Sequence, residues 1–318
     1  MNVVSLFDGM RCGRPALKRA GVVVNNYHSS EIDPYAIKIG DKNYPQDIKN
    51  KLGDVTKWRE WNLSDIGLII GGSPCQGFSV AGKQLNFDDP RSALFFEFLS
   101  VLKHYKPKYF LLENVARMDD NVKNIISELI GWQPIKINSN LVSAQNRDRL
   151  YWTNIPNVQQ PEDKGIFLKD IMLEKTSEYV KASKKGIYKK FQNKASCLTG
   201  GAHSGGNYSD MDLFGILKNR CYHIGEAIGI NGHELLTRVY ADYGKSPTLT
   251  TITGGNQYSK IAIDDYIWRR LTPVECERLQ TIPDNYTEGV SNSQRYKMLG
   301  NGWTVDVIAH ILRGIECI

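Results

Sequence analysis

A cysteine stands between a proline and a glutamine in "GGSPCQGFS" (71–79), directly after the apolar run "IGLII" (66–70). A second apolar run, "KYFLLENV" (108–115), carries an acid, Glu113, near its end. A third segment, "QNRDRLYW" (145–152), places Arg147 and Arg149 two residues apart, the spacing that puts side chains on one face of a strand. A free cysteine is usually a small buried hydrophobe. Cys75 instead falls where a buried strand ends and the backbone turns, and in open α/β sheets ligands bind at the carboxyl ends of the strands. A thiolate beside a carboxyl group suits covalent catalysis with acid assistance. Two guanidiniums near one carboxylate can hold it or bind the polar edge of a heterocycle. Each feature alone has a plainer reading: a structural thiol, a helix cap for Glu113, a surface salt-bridge ladder for the arginines. Their joint occurrence favours one reactive crevice.

A second group of polar residues precedes these. "SLFDGMRCGRPAL" (5–17) reads as strand, glycine-containing turn and helix, a place where backbone N–H groups meet a ligand. It is not GxGxxG, so a dinucleotide site is a poor match. "SEIDP" (30–34) puts an acid at the end of a second strand, where ribose hydroxyls are bound. The alternative is that Glu31 and Asp33 cap the next helix. "LGDV" (52–55) places Asp54 where a further strand should end. Three polar strand ends in succession point to an adenosine-type ligand.

The elements that must position these groups alternate. Strands are expected at 2–6, 27–31, 67–71 and 108–115, and helices at 13–21, 33–44, 91–105 and 119–132. Gly13 and Pro15 open the first helix and Gly21 closes it. Strand–helix alternation predicts an α/β fold with a doubly wound, mostly parallel sheet. The alternation stops near residue 155, where the chain becomes richer in Gly, Ser, Thr, Asn and Lys. Helical signal returns with "TPVECERLQ" (272–280), where Thr272 and Glu275 have capping-box spacing, and ends with "TVDVIAHILRGI" (304–315). Three segments follow: 1–155 as the main domain, 156–265 as a smaller inserted domain, and 266–318 as a return to the first. Within the insert, "KASCLTGGAHSGGNYS" (194–209) echoes "KSPTLTTITGGNQYSK" (245–260), through either a repeated hairpin or chance.

The bulk properties exclude some classes. The chain has 318 residues, 41% hydrophobic and 23% charged, with no apolar run near the ~20 residues that span a bilayer. The start "MNVVSLFDGM" is unlike a signal peptide, so a cytoplasmic location is expected. Six cysteines are scattered without CxxC or zinc spacing, so reduced thiols and no metal are expected. A net charge of +6 is compatible with a polyanionic partner.

The chain resembles the DNA (cytosine-5) methyltransferases over nearly its whole length. The resemblance rests on "FDGMRCG", "SEID", "GDV", "GGSPCQGFS", "LLENV", "QNRDRLYW", "RRLTPVECERLQTIPDNY" and "GNGWTVDVI", in the family's order. "FDGMRCG" and "GNGW" are closer to phage-borne and de novo-type members. It implies a Rossmann-like, class I S-adenosylmethionine-dependent fold with an inserted target-recognition domain. It also implies methyl transfer from S-adenosylmethionine to C5 of a cytosine flipped out of duplex DNA. In this role Cys75 attacks C6, Glu113 contacts N3 and the exocyclic amine, Arg149 contacts O2, and Arg147 helps hold the Cys75–Glu113 region. The loop 79–92 would close over the base. Phe7 would stack on adenine, Glu31 bind ribose and Asp54 reach the adenine amine, with Asn301 and Trp303 completing the pocket. Gly9, Ile32, Val55 and Pro74 are further cofactor contacts by the same likeness. Arg11 departs from the family, standing where similar members carry a small residue. It could pair with the cofactor's carboxylate, obstruct the pocket or suit a cofactor variant with an extra negative group; carboxylate pairing or an outward, solvated side chain is expected.

The resemblance places DNA reading in 156–265. "KASKKGIYKKFQNK" (181–194) holds six lysines and no acid. Lys184, Lys185, Lys189 and Lys190 are candidate phosphate contacts, against a solvated face as the plainer reading. Gln76, Ser79 and Arg91 on the loop, and Asn256 and Gln257 in the echo segment, are candidate DNA contacts. Two other readings stay open. An RNA methyltransferase of the same family is disfavoured, because a cysteine-phenylalanine-threonine signature is not found. A silent DNA-binding member is disfavoured by the retained Cys75 and Glu113. A stand-alone member is expected to act as a monomer, with or without a cognate restriction endonuclease.

Overall fold

The computed structural model describes residues 1–73, 90–173, 188–190, 220–227, 230, 233–251, 257–263 and 268–315, with backbone alone at 90–92, 188–190 and 234. Four strands of a first sheet run parallel: β1 (Asn2–Leu6), β2 (Asn26–Ser30), β3 (Ile66–Gly71) and β4 (Tyr109–Val115). β5 (Ile135–Asn138) and β6 (Asp148–Thr153) extend it in the order β2-β1-β3-β4-β6-β5, and β6 runs antiparallel to both neighbours. This is the expected doubly wound, mostly parallel sheet. The order reverses between β1 and β3, the place where such sheets bind ligands.

The strands read as near-continuous apolar runs because both faces are covered. Val3, Leu68, Ile70 and Leu111 pack on one face with Leu17 of helix α1 (Gly13–Ala20) and Ile39 of α2 (Pro34–Asn43). Val4, Leu6, Ile69, Phe110 and Leu112 pack on the other. There they meet Phe95, Phe98 and Val101 of α3 (Pro90–Tyr105) and Val122 and Ile126 of α4 (Asp120–Ile130). Alternate residues of one strand thus enter opposite cores, as the two-residue period requires.

Helix ends follow the capping signals. Gly21 closes α1 in the left-handed conformation, φ 77°, and its N–H reaches the carbonyls of Leu17 and Lys18. A short helix, α5 (Leu168–Ile171), precedes a second sheet. That sheet has five strands: β7 (Tyr188–Lys190), β8 (His223–Ala227), β9 (Arg238–Tyr240), β10 (Lys260–Ala262) and β11 (Trp268–Arg270). It therefore runs to Arg270, a little past the boundary expected at 265. Helix α6 (Pro273–Leu279) carries the expected capping box: the Thr272 N–H donates to Glu275 Oε2 at 2.7 Å and the Glu275 N–H to Thr272 Oγ1 at 3.2 Å. Helices α7 (Asn292–Asn301) and α8 (Val305–Leu312) follow, and α8 packs against α1, returning the C-terminal segment to the first sheet. No described helix is long and apolar enough to cross a membrane.

Candidate active site

The turn between β1 and α1 departs from ordinary backbone. Phe7 and Arg11 have left-handed φ values of 55° and 65°, with Gly9 at 56° between them. Side chains hold this turn. Asp8 Oδ1 accepts from Ser5 Oγ and Tyr27 Oη, and Oδ2 from Ser29 Oγ, all at 2.6 Å. Burial nevertheless dominates and pushes the Asp8 carboxyl up to about 6, against these donors and Arg11. The Gly9 N–H donates to Glu31 Oε2 at 2.7 Å, while Oε1 accepts from the N–H groups of Ile32 and Asp33, each at 2.8 Å. Glu31 is therefore tied to the first turn. The cap of α2 is Asp33, which accepts from Tyr35 and Ala36.

Asp54 does not end a strand. The stretch before it makes a single bridge, Ser29 to Lys51, and Asp54 instead caps the short 3-10 turn Val55–Glu60 through the Thr56 N–H at 2.9 Å. The segment still lies along the end of β2, since the Leu52 N–H donates to the Ser29 carbonyl and Ser30 Oγ to that of Gly53, both at 2.8 Å. The Val55 side chain is buried in the core. The ends of β1 and β2 thus gather two carboxylates, Glu31 and Asp54, with half-buried Phe7 and with Ile32, which is 71% exposed. Carboxylate acceptors with open apolar surface suit a ribose and a flat base, so the residues present fit an adenosine-bearing cofactor.

Arg11 corrects the sequence-based expectation. It is neither outward nor solvated: the side chain is 2% exposed. Nη2 donates to Asp41 Oδ1 at 2.6 Å and Nη1 to the Tyr44 carbonyl at 3.0 Å. The guanidinium is engaged by α2 and by Tyr44, the residue following it.

At the neighbouring strand ends, Arg149 Nε lies 2.7 Å from Glu113 Oε1, in an ion pair only 14% and 12% exposed. The register explains the meeting. Glu113 pairs with Tyr151 and Val115 with Arg149, so the two charges are diagonal neighbours on one face of the antiparallel β4–β6 ladder. Glu113 does not cap α4, a role held by Asp119. A Cβ placed on Gly72, just past β3, would lie 2.8 Å from Glu113 Oε2 and 3.1 Å from Trp303 Nε1. The bare glycine lets the carboxylate and the indole converge over the end of β3. Asn114 is 2% exposed, and its Nδ2 donates to the Ser73 carbonyl and hydroxyl at 3.4 Å. It ties the residue before the Pro-Cys-Gln segment to β4.

The Arg147 side chain binds main-chain carbonyls. It is 4% exposed, and its guanidinium donates to the carbonyls of Leu249, Gly300 and Gly302, each at 3.1 Å. Burial, then the like charge of Arg149, lowers it to about 10. It thus joins the β6 approach to the 245–251 strap and to the start of "GNGW". Buried Lys245 reinforces this strap, donating to the carbonyls of Asn140, Ser143 and Ile166. Asn301 accepts from the Thr251 hydroxyl.

Residues 1–317 match the family of C-5 cytosine-specific DNA methylases. The chain belongs to this family. It is a DNA (cytosine-5) methyltransferase by that membership. It is 30% identical to type II methyltransferase M1.ScrFI of Lactococcus lactis subsp. cremoris, over 90% of this chain and 70% of that one. It is 26% identical to orphan methyltransferase M.SPRI of Bacillus phage SPR, over 98% and 97% of the two chains. The Entamoeba histolytica methyltransferase EhMeth shares the fold, with a TM-score of 0.69 at 17% identity, over 99% and 97%.

In this methylase the structure brings together Phe7, Gly9, Glu31, Ile32 and Asp54 on one side and Glu113, Arg149 and Trp303 on the other. Pro74, Cys75, Gln76, Ser79, Lys184, Lys185 and Asn256 lie outside the described residues, as do the side chains of Arg91, Lys189 and Lys190. The 194–209 half of the internal echo lies outside them too. Lys189 and Lys190 have their backbone in β7 and Gln257 is exposed. Among the described residues, no cluster of His, Cys, Asp or Glu could hold a metal. Sequence reading missed Asn114, Gly72, Asp8 and Lys245. Three of them sit inside quoted motifs, and Lys245 opens the second echo segment.

Proposed function

We propose that this methylase transfers a methyl group from S-adenosylmethionine to C5 of a cytosine flipped out of a short double-stranded DNA site, through a covalent Cys75–C6 adduct. The observation that carries the reading is the half-buried Glu113–Arg149 pair, set beside Trp303 at the end of β3, from which the chain runs directly into Pro74 and Cys75.

Cytosine C6 is a weak electrophile. The Cys75 thiolate adds to C6 and forms a C–S bond, while the Glu113 carboxyl group contacts the N3 and exocyclic-amine edge of the base and eases that addition. Arg149 holds Glu113 through Oε1 and orients it toward the base. The electron pair then resides at C5. Bound S-adenosylmethionine supplies an electrophilic methyl group to that carbon. With S-adenosylhomocysteine as the leaving group of the transfer, a solvent base takes the C5 proton, the C5–H electron pair forms the C5–C6 double bond, and the C–S bond breaks to release the Cys75 thiolate. Phe7 and Ile32 cover the adenine, Glu31 binds the ribose hydroxyls, Asp54 accepts from the adenine amine, and Asn301 and Trp303 close the pocket. Extrusion from the stack is needed because C5 and C6 are out of reach in a duplex. The 156–265 segment reads the site, with its lysines on phosphates, and the enzyme works as a monomer in the cytoplasm, in a restriction-modification pair or as an orphan.

The test is incubation with S-adenosylmethionine and mixed-sequence duplex DNA, nucleoside digestion and mass spectrometry, with Cys75→Ser as control. The expected result is 5-methyldeoxycytidine with the native chain and none with the variant, while DNA binding persists. Comparable product from Cys75→Ser would remove the covalent route.

A further inference from the structure

The methyl-transfer chemistry leaves Arg11 without a task, yet its surroundings are built for it. Nη2 and Nη1 are taken by Asp41 and the Tyr44 carbonyl, and Nε lies 3.9 Å from Asp8 Oδ2. Asp41 also accepts from Lys51 Nζ at 2.9 Å, so two cations and two carboxylates balance. The aliphatic stem of Arg11 lies on Gly40. A Cβ there would come within 3.0 Å of Cγ and Nε and 3.1 Å of Cδ. An arginine at 11 and a bare position at 40 are therefore a matched pair.

The backbone gives this pair a purpose. A left-handed arginine is unfavourable by itself, and the turn contains a second such residue, Phe7. Asp8 anchors one end of the turn through three hydroxyls, and Tyr286 Oη donates to the Met10 carbonyl at 2.8 Å in the middle. Arg11 anchors the other end to α2. Phe7 and Gly9 lie on the turn, while Glu31 and Ile32 lead directly into α2, so the spacing between the two halves of the cofactor face depends on how turn and helix are held.

We propose that Arg11 is a positioning residue that clamps the 7–12 turn onto α2 through Asp41 and Gly40, presetting the Phe7–Glu31 face for the cofactor without touching it. The proposal rests on the reading of that face as the S-adenosylmethionine pocket.

The experiment is calorimetric titration of the full chain with S-adenosylmethionine, and separately with S-adenosylhomocysteine, for native protein, Arg11→Met, Arg11→Lys and Gly40→Ala. Steady-state kinetics and melting temperatures accompany it. Arg11→Met is expected to weaken both ligands about tenfold, which is about 1.4 kcal/mol. KM for the cofactor should rise in step while kcat at saturation stays within about twofold, and Arg11→Lys should recover part of the loss. Gly40→Ala should also weaken binding, although alanine is the better helix former, so a lowered melting temperature is not its expected cause. Where Arg11→Met fails to fold, Arg11→Lys and Gly40→Ala carry the test. Unchanged Kd values in folded variants, or a fall in kcat alone, would overturn the clamp. Native protein that binds neither ligand would instead overturn the cofactor reading.

Discussion

Gly72→Ala adds a single methyl group between Glu113 and Trp303. Gly72 has no left-handed φ, so alanine meets no backbone penalty there. The added methyl would lie 2.8 Å from Glu113 Oε2 and 3.1 Å from Trp303 Nε1. An ordinary contact begins at about 3.4 Å, so the carboxylate must retreat by roughly 0.6 Å and the indole by less. Both atoms are side-chain ends, which move cheaply, so stability should change by less than about 1 kcal/mol. Activity should suffer far more, because a catalytic group tolerates about 0.5 Å of displacement and ~1 Å can cost ~100-fold. The expected result is a 10- to 100-fold lower kcat, on the order of 1.4–2.7 kcal/mol in the barrier, with a nearly native melting temperature. Transfer of labelled methyl groups to duplex DNA measures the rate, and calorimetry the melting. An alanine variant within twofold of native activity would show that Glu113 and Trp303 need not converge over Gly72.

Two further outcomes can be measured. Asp8 titrates near 6 when folded against an ordinary 3.8, because burial disfavours its charge. Its proton is then held more tightly in the folded state, so its contribution favours folding below about pH 4 and is lost as pH rises through 6. Relative to native protein, Asp8→Asn should gain stability between pH 4 and pH 7, up to about 3 kcal/mol. Urea unfolding at both pH values reads the difference, and a gap that does not widen with pH would contradict the burial argument. Replacing Lys184, Lys185, Lys189 and Lys190 together by glutamine should weaken DNA binding across all sequences and flatten its dependence on salt. An unchanged slope would assign those lysines to a solvated face.

What the sequence made legible was local. Apolar runs longer than an alternating strand's announced a sheet buried on both faces, and the alternation with helices announced that it is mostly parallel. The capping box at Thr272 and the left-handed stop at Gly21 were readable because each depends on residues within one turn. Glu113 and Arg149 were readable as a pair because strand spacing and strand ends constrain where side chains point. Asp54 was misplaced because a single bridge at Lys51 cannot be told from a strand by pattern, and a cap and a strand end both call for a polar residue. The partners of Arg147 were not legible for a different reason. Its partners are main-chain carbonyls of Leu249, Gly300 and Gly302, which carry no side-chain signature.

Arg11 shows where reading by motif stops. Within "FDGMRCG" it looks like an intrusion into a ligand site, since the motif is followed along the chain and the neighbours in view are the ligand's. Its direction is decided 30 residues away, by the carboxylate of Asp41 and the missing side chain of Gly40. A buried guanidinium must find acceptors for its donors, and the Asp8 carboxylate of the first turn is already engaged by Ser5, Tyr27 and Ser29. Desolvation therefore drives Arg11 to whichever element supplies the missing acceptors, and α2 with Tyr44 supplies them. The charge that looked like a threat to cofactor binding is paired with Asp41. What remains of it at the cofactor face is geometric, in the placement of Phe7, Gly9 and Glu31.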